Sequence, residues 1–249
     1  MKKTYLLILA VITVIAVFFG CAYHMYGFGN KNKSNEKVEV SYDFEDIEKI
    51  DVEVGLTDMT ITTGDKFSAS FSGLKDLLPE FKSDNKTLTV YQKKEEKSFT
   101  VLKPNIRNLH DIKNTLTITV PEGTTLEEIG FDCGMGDLDV LGVSAKKMNL
   151  NCAMGSIKIE NLTVDQLDLE ADMGNASIMN VDVKNIGAVL AMGDFEADLV
   201  NDISEYGIEI EVSMGKCKVD GETVSNKYSR TGSYGTINVS SAMGDVNIK

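Results

Sequence analysis

The sequence predicts an all-β fold, a parallel β-solenoid of strand-turn-strand coils about 19 residues long with an antiparallel β cap near its N-terminal end. The first observation is an internal repeat, because Met-Gly recurs six times, at intervals of 19, 19, 19, 22 and 29 residues. The second is an alternation of apolar and polar residues on both sides of each Met-Gly. The third is a content of 21 Gly and only 3 Pro, which suits short strands joined by tight corners. The repeated methionines are Met135, Met154, Met173, Met192, Met214 and Met243.

The alternation places apolar residues at fixed distances from each repeated Met. The positions six, four and two residues before it, and three and five residues after it, are apolar in 29 of 30 cases, with Ser241 as the exception. Inward side chains recur every second residue along a strand, whereas a helix needs apolar spacings of three and four. Each copy is therefore predicted as two strands meeting at a glycine corner, with Leu169 inward and Glu170 outward, for example.

A single coil cannot bury its own apolar residues, so neighbouring coils are expected to stack at roughly 4.8 Å in parallel ladders. Six Met-Gly coils are expected over residues 121–249, with the additional residues of the longer gaps in loops at 200–206 and 221–235. A divergent copy of the pattern occurs at residues 50–61. After it, residues 63–120 contain alternating segments, which we predict to be an antiparallel insertion that covers the first edge of the stack.

The N-terminal segment has the features of a membrane-targeting sequence. After a basic start, residues 4–22 carry no charge, and at about 1.5 Å per residue such a run can just cross a hydrocarbon core of about 30 Å. Residues 1–22 are therefore predicted to be a signal or membrane anchor, or else a lipoprotein signal in which Cys21 is lipidated. Residues 23–40 are predicted to be a flexible linker, and residues 41–249 a domain on the extracytoplasmic face of the membrane.

The composition argues against several classes of function. The formal net charge is −13, which repels a phosphate backbone, so nucleic acid is not an expected partner. Four cysteines and two histidines are scattered without a CxxC motif or a Cys-His cluster, so no zinc site is expected. We predict no catalytic residue, no metal site and no cofactor.

The repeated methionines should form a column along the stack. Thioethers are ligands for soft ions such as copper(I), so such a column could be a metal ladder. Methionine is also an adaptable filler of cores and corners. From the sequence alone we favour the packing interpretation.

Aspartate recurs two residues after the repeated position, as Asp58, Asp137, Asp194 and Asp245. Neighbouring carboxylates could bind calcium or cleave glycosides. A serine, an asparagine and a lysine take the same place in other coils, however, and these share no common chemistry. We interpret the column as turn residues that hydrogen-bond their own backbone.

Cys133 and Cys152 occupy the same position in consecutive coils. Their Cα atoms should lie about 4.8 Å apart, within the range that a disulfide tolerates. Both face inward by parity, and free cysteine behaves as a small buried apolar residue. We favour reduced thiols, while an extracytoplasmic location favours a disulfide.

The segment PEGTTLEEIGFDCGMGDLDV, residues 121–140, and its downstream copies resemble the bacterial DUF4097 family, whose members are often labelled adhesins. The resemblance covers residues 42–249 and implies repeated strands joined at small-residue-Gly-Asp corners, typically after a membrane anchor. Where this sequence has Met before the corner Gly, Ser is frequent in the family. The resemblance implies no catalytic or binding residue.

These features favour a non-enzymatic adhesin or surface binding module, with an envelope or host-surface protein or glycan as partner. A membrane-anchored accessory or sensor of an envelope-stress response is the alternative, and a carbohydrate-active β-helix enzyme is less favoured because only two arginines are present. The regular outward positions are the expected binding face, because they form a continuous polar column. Its predicted members are Asp132, Asn151, Glu170 and Glu211, with Val189 between the last two.

Overall fold

The computed structural model describes residues 36–92 and 113–249, and these residues are all-β, as predicted. They contain two 3-10 turns, Lys75–Leu77 and Ile203–Glu205, and twenty strands. The strands are β1 (Lys37–Asp43), β2 (Lys49–Leu56), β3 (Asp58–Gly64), β4 (Ser68–Leu74), β5 (Glu80–Asp84), β6 (Thr87–Tyr91), β7 (Thr115–Pro121), β8 (Thr125–Met135), β9 (Leu138–Leu141), β10 (Ser144–Met154), β11 (Ile157–Glu160), β12 (Thr163–Met173), β13 (Ala176–Met192), β14 (Phe195–Leu199), β15 (Gly207–Met214), β16 (Cys217–Val219), β17 (Glu222–Val224), β18 (Lys227–Arg230), β19 (Thr236–Met243) and β20 (Val246–Ile248).

Most of these strands pair in parallel, in two ladders that are joined by β13, whose two halves belong to different ladders. From edge to edge, ladder A consists of β1, β4, β7, β3, β9, β11, the first half of β13, β14, β20, β16 and β17. Ladder B consists of β5, β6, β2, β8, β10, β12, the second half of β13, β19, β15 and β18. The result is an open sheet with many strands.

Consecutive coils of the main repeat align without a shift. Met135 pairs with Met154, Met154 with Met173, and Met173 with Met192. Residues that are 19 positions apart in the sequence therefore lie side by side. Each position of the repeat consequently forms a column of side chains across the strands.

The order of the last two coils differs from their order in the chain. Met192 pairs with Met243, and Met243 pairs with Met214, so the final coil lies between the fourth and the fifth. The expectation that consecutive copies are always neighbours is wrong here. The two longer gaps explain the difference, because their additional residues let the chain pass over one coil position and return to fill it.

Antiparallel strands lie next to the outermost coils on both sides. On one side β4 pairs with β7 and β5 with β6, and on the other side β17 pairs with β16 and β18 with β15. Residues 63–120 are not uniformly antiparallel, because β6 and β7 pair in parallel with β2 and β3 and add one more coil. Residues 221–235, expected to be loop, contain β17 and β18. These strands satisfy backbone groups that a bare sheet edge would expose.

The inward positions of the repeat form one continuous apolar core, and the predicted parity is confirmed. Leu169 and Ile210 are 3% and 0% exposed, whereas Glu170 and Glu211 are exposed to solvent. Ser241 is also buried, and its hydroxyl has no hydrogen-bond partner within the described residues. The periodicity thus decides burial even where the residue is polar.

The Met-Gly corners require glycine because the glycine backbones of successive coils stack in close contact. At Gly174 φ is +153°, and an added Cβ would lie 1.8 Å from the carbonyl oxygen of Gly155 in the neighbouring coil. A backbone oxygen at that distance cannot be displaced without shifting the coil. A larger residue at this corner would therefore separate the strands.

The acidic and amide residues after the corners connect one coil to the next. Asp137 Oδ1 accepts a hydrogen bond from the Ser156 amide at 2.8 Å, Asn175 Oδ1 from the Asp194 amide at 2.9 Å, and Asp194 Oδ1 from the Asp245 amide at 2.8 Å. The side chains bond to backbone amides, as predicted, but the amides belong to the neighbouring coil, so the predicted bond within the residue's own turn is wrong. Stacking in register brings the N–H of the neighbouring coil within reach, so the bond does not close the residue's own turn.

The domain begins earlier than predicted. β1 starts at Lys37 and pairs along its whole length with β4, so the predicted boundary at residues 40 and 41 falls inside a strand and is wrong. The predicted signal or anchor, residues 1–22 with Cys21, lies outside the described residues, as does most of the predicted linker. Over residues 36–92 and 113–249, no helix has the length and apolar character of a membrane span.

Candidate functional site

An open groove of about 600 Å³ lies on the outward face of ladder B. It crosses seven strands, from β2 through β8, β10, β12, β13 and β19 to β15. Six strand spacings of roughly 4.8 Å make it about 29 Å long. The residues that line it include buried ones such as Phe131 and Leu169 and two rows of outward side chains.

The predicted binding face is one of these two rows. Its members come three residues before the repeated position, and in-register pairing brings them side by side. Because the last coil lies between the fourth and the fifth, Ser240 lies between Val189 and Glu211 in this row, although it comes after both in the sequence. From β8 to β15 the row consists of Asp132, Asn151, Glu170, Val189, Ser240 and Glu211.

The sequence interpretation missed the second row. The same parity argument predicts it, since the positions five and three residues before the repeated Met both face outward. Two glycines in this row have no side chain and so leave depressions in the surface. An added Cβ on Gly187 would lie 2.8 Å from Asp168 Oδ1, and one on Gly130 would lie 3.3 Å from Asp51 Oδ1. The row consists of Asp51, Gly130, Asn149, Asp168, Gly187, Asn238 and Glu209.

The groove is strongly acidic. Among its lining residues in the described part of the chain are six carboxylates and no Lys, Arg or His. The side chains of Asp132, Asn151 and Glu170 have no hydrogen bond or ion pair with another described residue, so their polar atoms face solvent. The carboxylates are Asp51, Asp132, Asp168, Glu170, Glu209 and Glu211.

A few internal contacts border the acidic surface. The Lys227 ammonium on β18 lies 3.0 Å from the Glu211 carboxylate, and Gln166 donates to Asp168 Oδ2 at 2.7 Å. Among the described residues, no group of three or more His, Cys, Asp or Glu side chains is arranged to hold a metal ion. The arrangement offers acceptors along an extended surface and suits binding of a ligand that carries donors or positive charge.

The methionine column lies at the corners and is largely exposed. Five of its six members are exposed by 40% to 60%, so of the two places that the packing interpretation allowed, core and corner, they occupy the corner. They are Met135, Met173, Met192, Met214 and Met243.

Cys133 and Cys152 are register partners on β8 and β10, and both are buried free thiols. Cys152 Sγ lies 3.3 Å from the carbonyl oxygen of Gly136. The contact with the Cys152 thiol, together with burial, raises the pKa of the Cys133 thiol above its usual range. A protonated, buried thiol is poorly reactive, which suits the favoured structural role.

Comparison with known proteins identifies the family and the fold. Residues 47–249 match the family described as Toastrack DUF4097. The chain is similar to the crystal structure of a putative cell adhesion protein from Clostridium sporogenes, with 17% identity, a TM-score of 0.51, and coverage of 86% of this chain and 99% of that one. It is also similar to a putative adhesin from Bacteroides fragilis, with 17% identity, a TM-score of 0.45, and coverage of 87% and 98%. None of the curated proteins matches the chain.

Proposed function

The chain belongs to the Toastrack DUF4097 family, and we propose that it is a non-enzymatic binding module displayed on the outer side of a bacterial membrane. The observation that carries this proposal is the groove on ladder B, which presents six carboxylates over seven strands. The adhesion name of the similar Clostridium sporogenes protein supports it. The carboxylates are spread over several strands of the groove, which suits an extended ligand better than a single reaction centre.

We also infer that the stacked coils form a β-solenoid. The support is the in-register pairing of six successive Met-Gly corners together with one continuous core. In such an architecture each coil contacts only its neighbours, so outward columns repeat regularly. A regular column is suited to contacts spread over a long surface.

The ligand that best fits the groove is an extended, positively charged segment of an envelope or host-surface protein. A groove about 29 Å long accommodates roughly nine residues of extended chain at about 3.3 Å each. Lysine and arginine side chains on that segment would meet carboxylates that have few internal partners. Val189, which is 53% exposed in the middle of the row, adds an apolar contact.

The test uses the full chain in detergent and a lysine-rich decapeptide as the probe. Changing Asp132→Asn, Glu170→Gln and Asp168→Asn together should weaken binding about tenfold, since each surface ion pair contributes about 0.5 kcal/mol. A charge-matched control, Asp65→Asn, Glu122→Gln and Glu222→Gln, changes three exposed acids outside the groove and should bind as the wild type does. Equal losses in both variants would show only non-specific charge attraction, and binding of a neutral oligosaccharide instead of the peptide would contradict the cationic ligand.

The membrane location has its own test. The uncharged run at residues 4–22 leads us to expect that the full chain sediments with membranes and that its domain is accessible to external protease. Metabolic labelling with a lipid precursor distinguishes the two anchors, because only a lipoprotein loses the label on Cys21→Ala. Recovery of the native protein from the cytosol would contradict the envelope proposal.

A further inference from the structure

The exposed methionine column is a second feature of the surface, and the groove does not use it. From one edge to the other its members are Met135, Met154, Met173, Met192, Met243 and Met214. Five of the six side chains are exposed, so burial contributes little free energy at this position and core packing does not explain the repeated thioether.

The backbone holds the column in register. Except at Met135, whose carbonyl oxygen accepts from the Thr57 amide, the carbonyl oxygen of each repeated Met accepts a hydrogen bond from the corner glycine of the neighbouring coil. Gly155 donates to Met173 at 2.9 Å, for example, and Gly174 donates to Met192 at 3.0 Å. The same pattern continues across the inserted coil, from Gly193 to Met243 and from Gly244 to Met214, each at 2.9 Å. Adjacent side chains therefore start from points about 4.8 Å apart.

This spacing suits a soft metal ion. Two ligand sulfurs at about 2.3 Å from one metal, the length of a zinc–sulfur bond, lie at most about 4.6 Å apart. That separation is close to the strand spacing, and the methionine side chain has enough rotatable bonds to close the small difference between the two. Thioether ligands favour copper(I) over harder ions such as calcium or magnesium.

The corner does not itself require sulfur. Leu56 takes the same position in β2, next to Met135, so the fold accommodates a branched aliphatic side chain there. The neighbouring acidic column is engaged with backbone amides of successive coils and is not needed as a ligand. We propose that the methionine ladder binds soft monovalent metal ions, copper(I) or silver(I), each held by two or three neighbouring thioethers.

The direct test records methyl spectra of the full chain, labelled with ¹³C at the methionine methyl groups, during titration with silver nitrate in chloride-free buffer. Silver(I) shares the charge and soft character of copper(I) and is stable in air. The methyl signals of the six ladder residues should shift, with saturation at roughly two to three ions per chain. Met59 and Met148 are buried away from the ladder and serve as internal controls whose signals should not move.

The matched variants are Met154→Leu, Met173→Leu and Met192→Leu together, compared with Met148→Leu and Met179→Leu outside the ladder. The first set should weaken silver binding at least tenfold, as measured by competition with a chromophoric ligand, and the second should leave it unchanged. If the triple variant does not fold, the methyl spectra of the unaltered chain still test whether the ladder binds silver. Absence of shifts in the ladder signals, or silver bound only at the cysteines, would overturn the proposal.

Discussion

Leu169 and Glu170 are adjacent on β12 but face opposite sides of ladder B. Leu169 is 3% exposed, while Glu170 lines the groove. Leu169→Ala should lower the free energy of unfolding by about 2 to 5 kcal/mol because it leaves a cavity, whereas Glu170→Ala should change it by less than about 0.5 kcal/mol. Urea unfolding of both variants measures the difference. Similar losses for the two would contradict the assigned register.

Tyr206 is fully buried, and its hydroxyl donates a hydrogen bond to the Val183 carbonyl. Burial raises the pKa of Tyr206 from 10.0 to about 12. The folded state therefore holds this proton more tightly than the unfolded chain does. Its contribution to stability is complete below pH 10 and is lost as the pH rises to about 12.

The wild type should accordingly lose on the order of 2 kcal/mol between pH 10 and 12 relative to Tyr206→Phe, which has no phenol to ionise. At neutral pH the phenylalanine variant should be less stable by about 1 kcal/mol, because the hydrogen bond is missing. Denaturant unfolding at a series of pH values measures both effects. Parallel curves for the two proteins across this range would show that Tyr206 does not titrate as described.

Residue-level burial was predictable where alternation decides it, as for Leu169, and was not predictable at the corner. The repeated Met stands an even number of residues from the inward positions before it, so strict alternation would place it in the interior. The chain leaves the strand at the following glycine, and the alternation no longer determines direction there. Five of the six methionines consequently lie exposed.

At the scale of the element, the corner glycines limit how closely coils approach. Gly174→Ala should destabilise the domain by roughly 3 to 5 kcal/mol, because the Cβ would meet a backbone oxygen at 1.8 Å and the backbone conformation is strained for alanine. Gly123→Ala is the control, since Gly123 also has a positive φ, +76°, but has no atom within 4 Å of an added Cβ. Thermal or urea unfolding should show a clearly smaller loss for the control. A tolerated Gly174→Ala would contradict the close stacking.

The two outward rows show what an element-level pattern can and cannot predict. Asp132, Asn151 and Glu170 were predicted as one column because they share a position in the repeat. The second row was equally available from parity but alternates acids and amides with glycines, so its polar character is not continuous in the sequence. Only the stacked strands show that Gly130 deepens the surface beside Asp51 and that Gly187 deepens it beside Asp168.

At the scale of the whole molecule, the order of the coils could not be predicted from the repeat. Each coil carries the same apolar pattern, so any copy can stack against the edge strands of any other. Only the two longer intervals, which end at Met214 and Met243, distinguish the last coils. The antiparallel strands β17 and β18 lie in the second of these intervals, between Met214 and Met243, and cover the edges of β16 and β15.

The groove and the methionine ladder both depend on the in-register stack in its observed order, in which Val189 pairs with Ser240 and Ser240 with Glu211. Paired cysteines at these exposed positions test that order in the full chain with Cys21→Ala, since the three native cysteines of the domain are buried. Under mild oxidation Val189→Cys with Ser240→Cys should form a disulfide, because adjacent strands lie about 4.8 Å apart. Val189→Cys with Glu211→Cys should form none, because two spacings, about 9.6 Å, exceed the roughly 7 Å limit between Cα atoms. A disulfide in the second pair and none in the first would show that the coils follow the order of the chain and would contradict the structure described here.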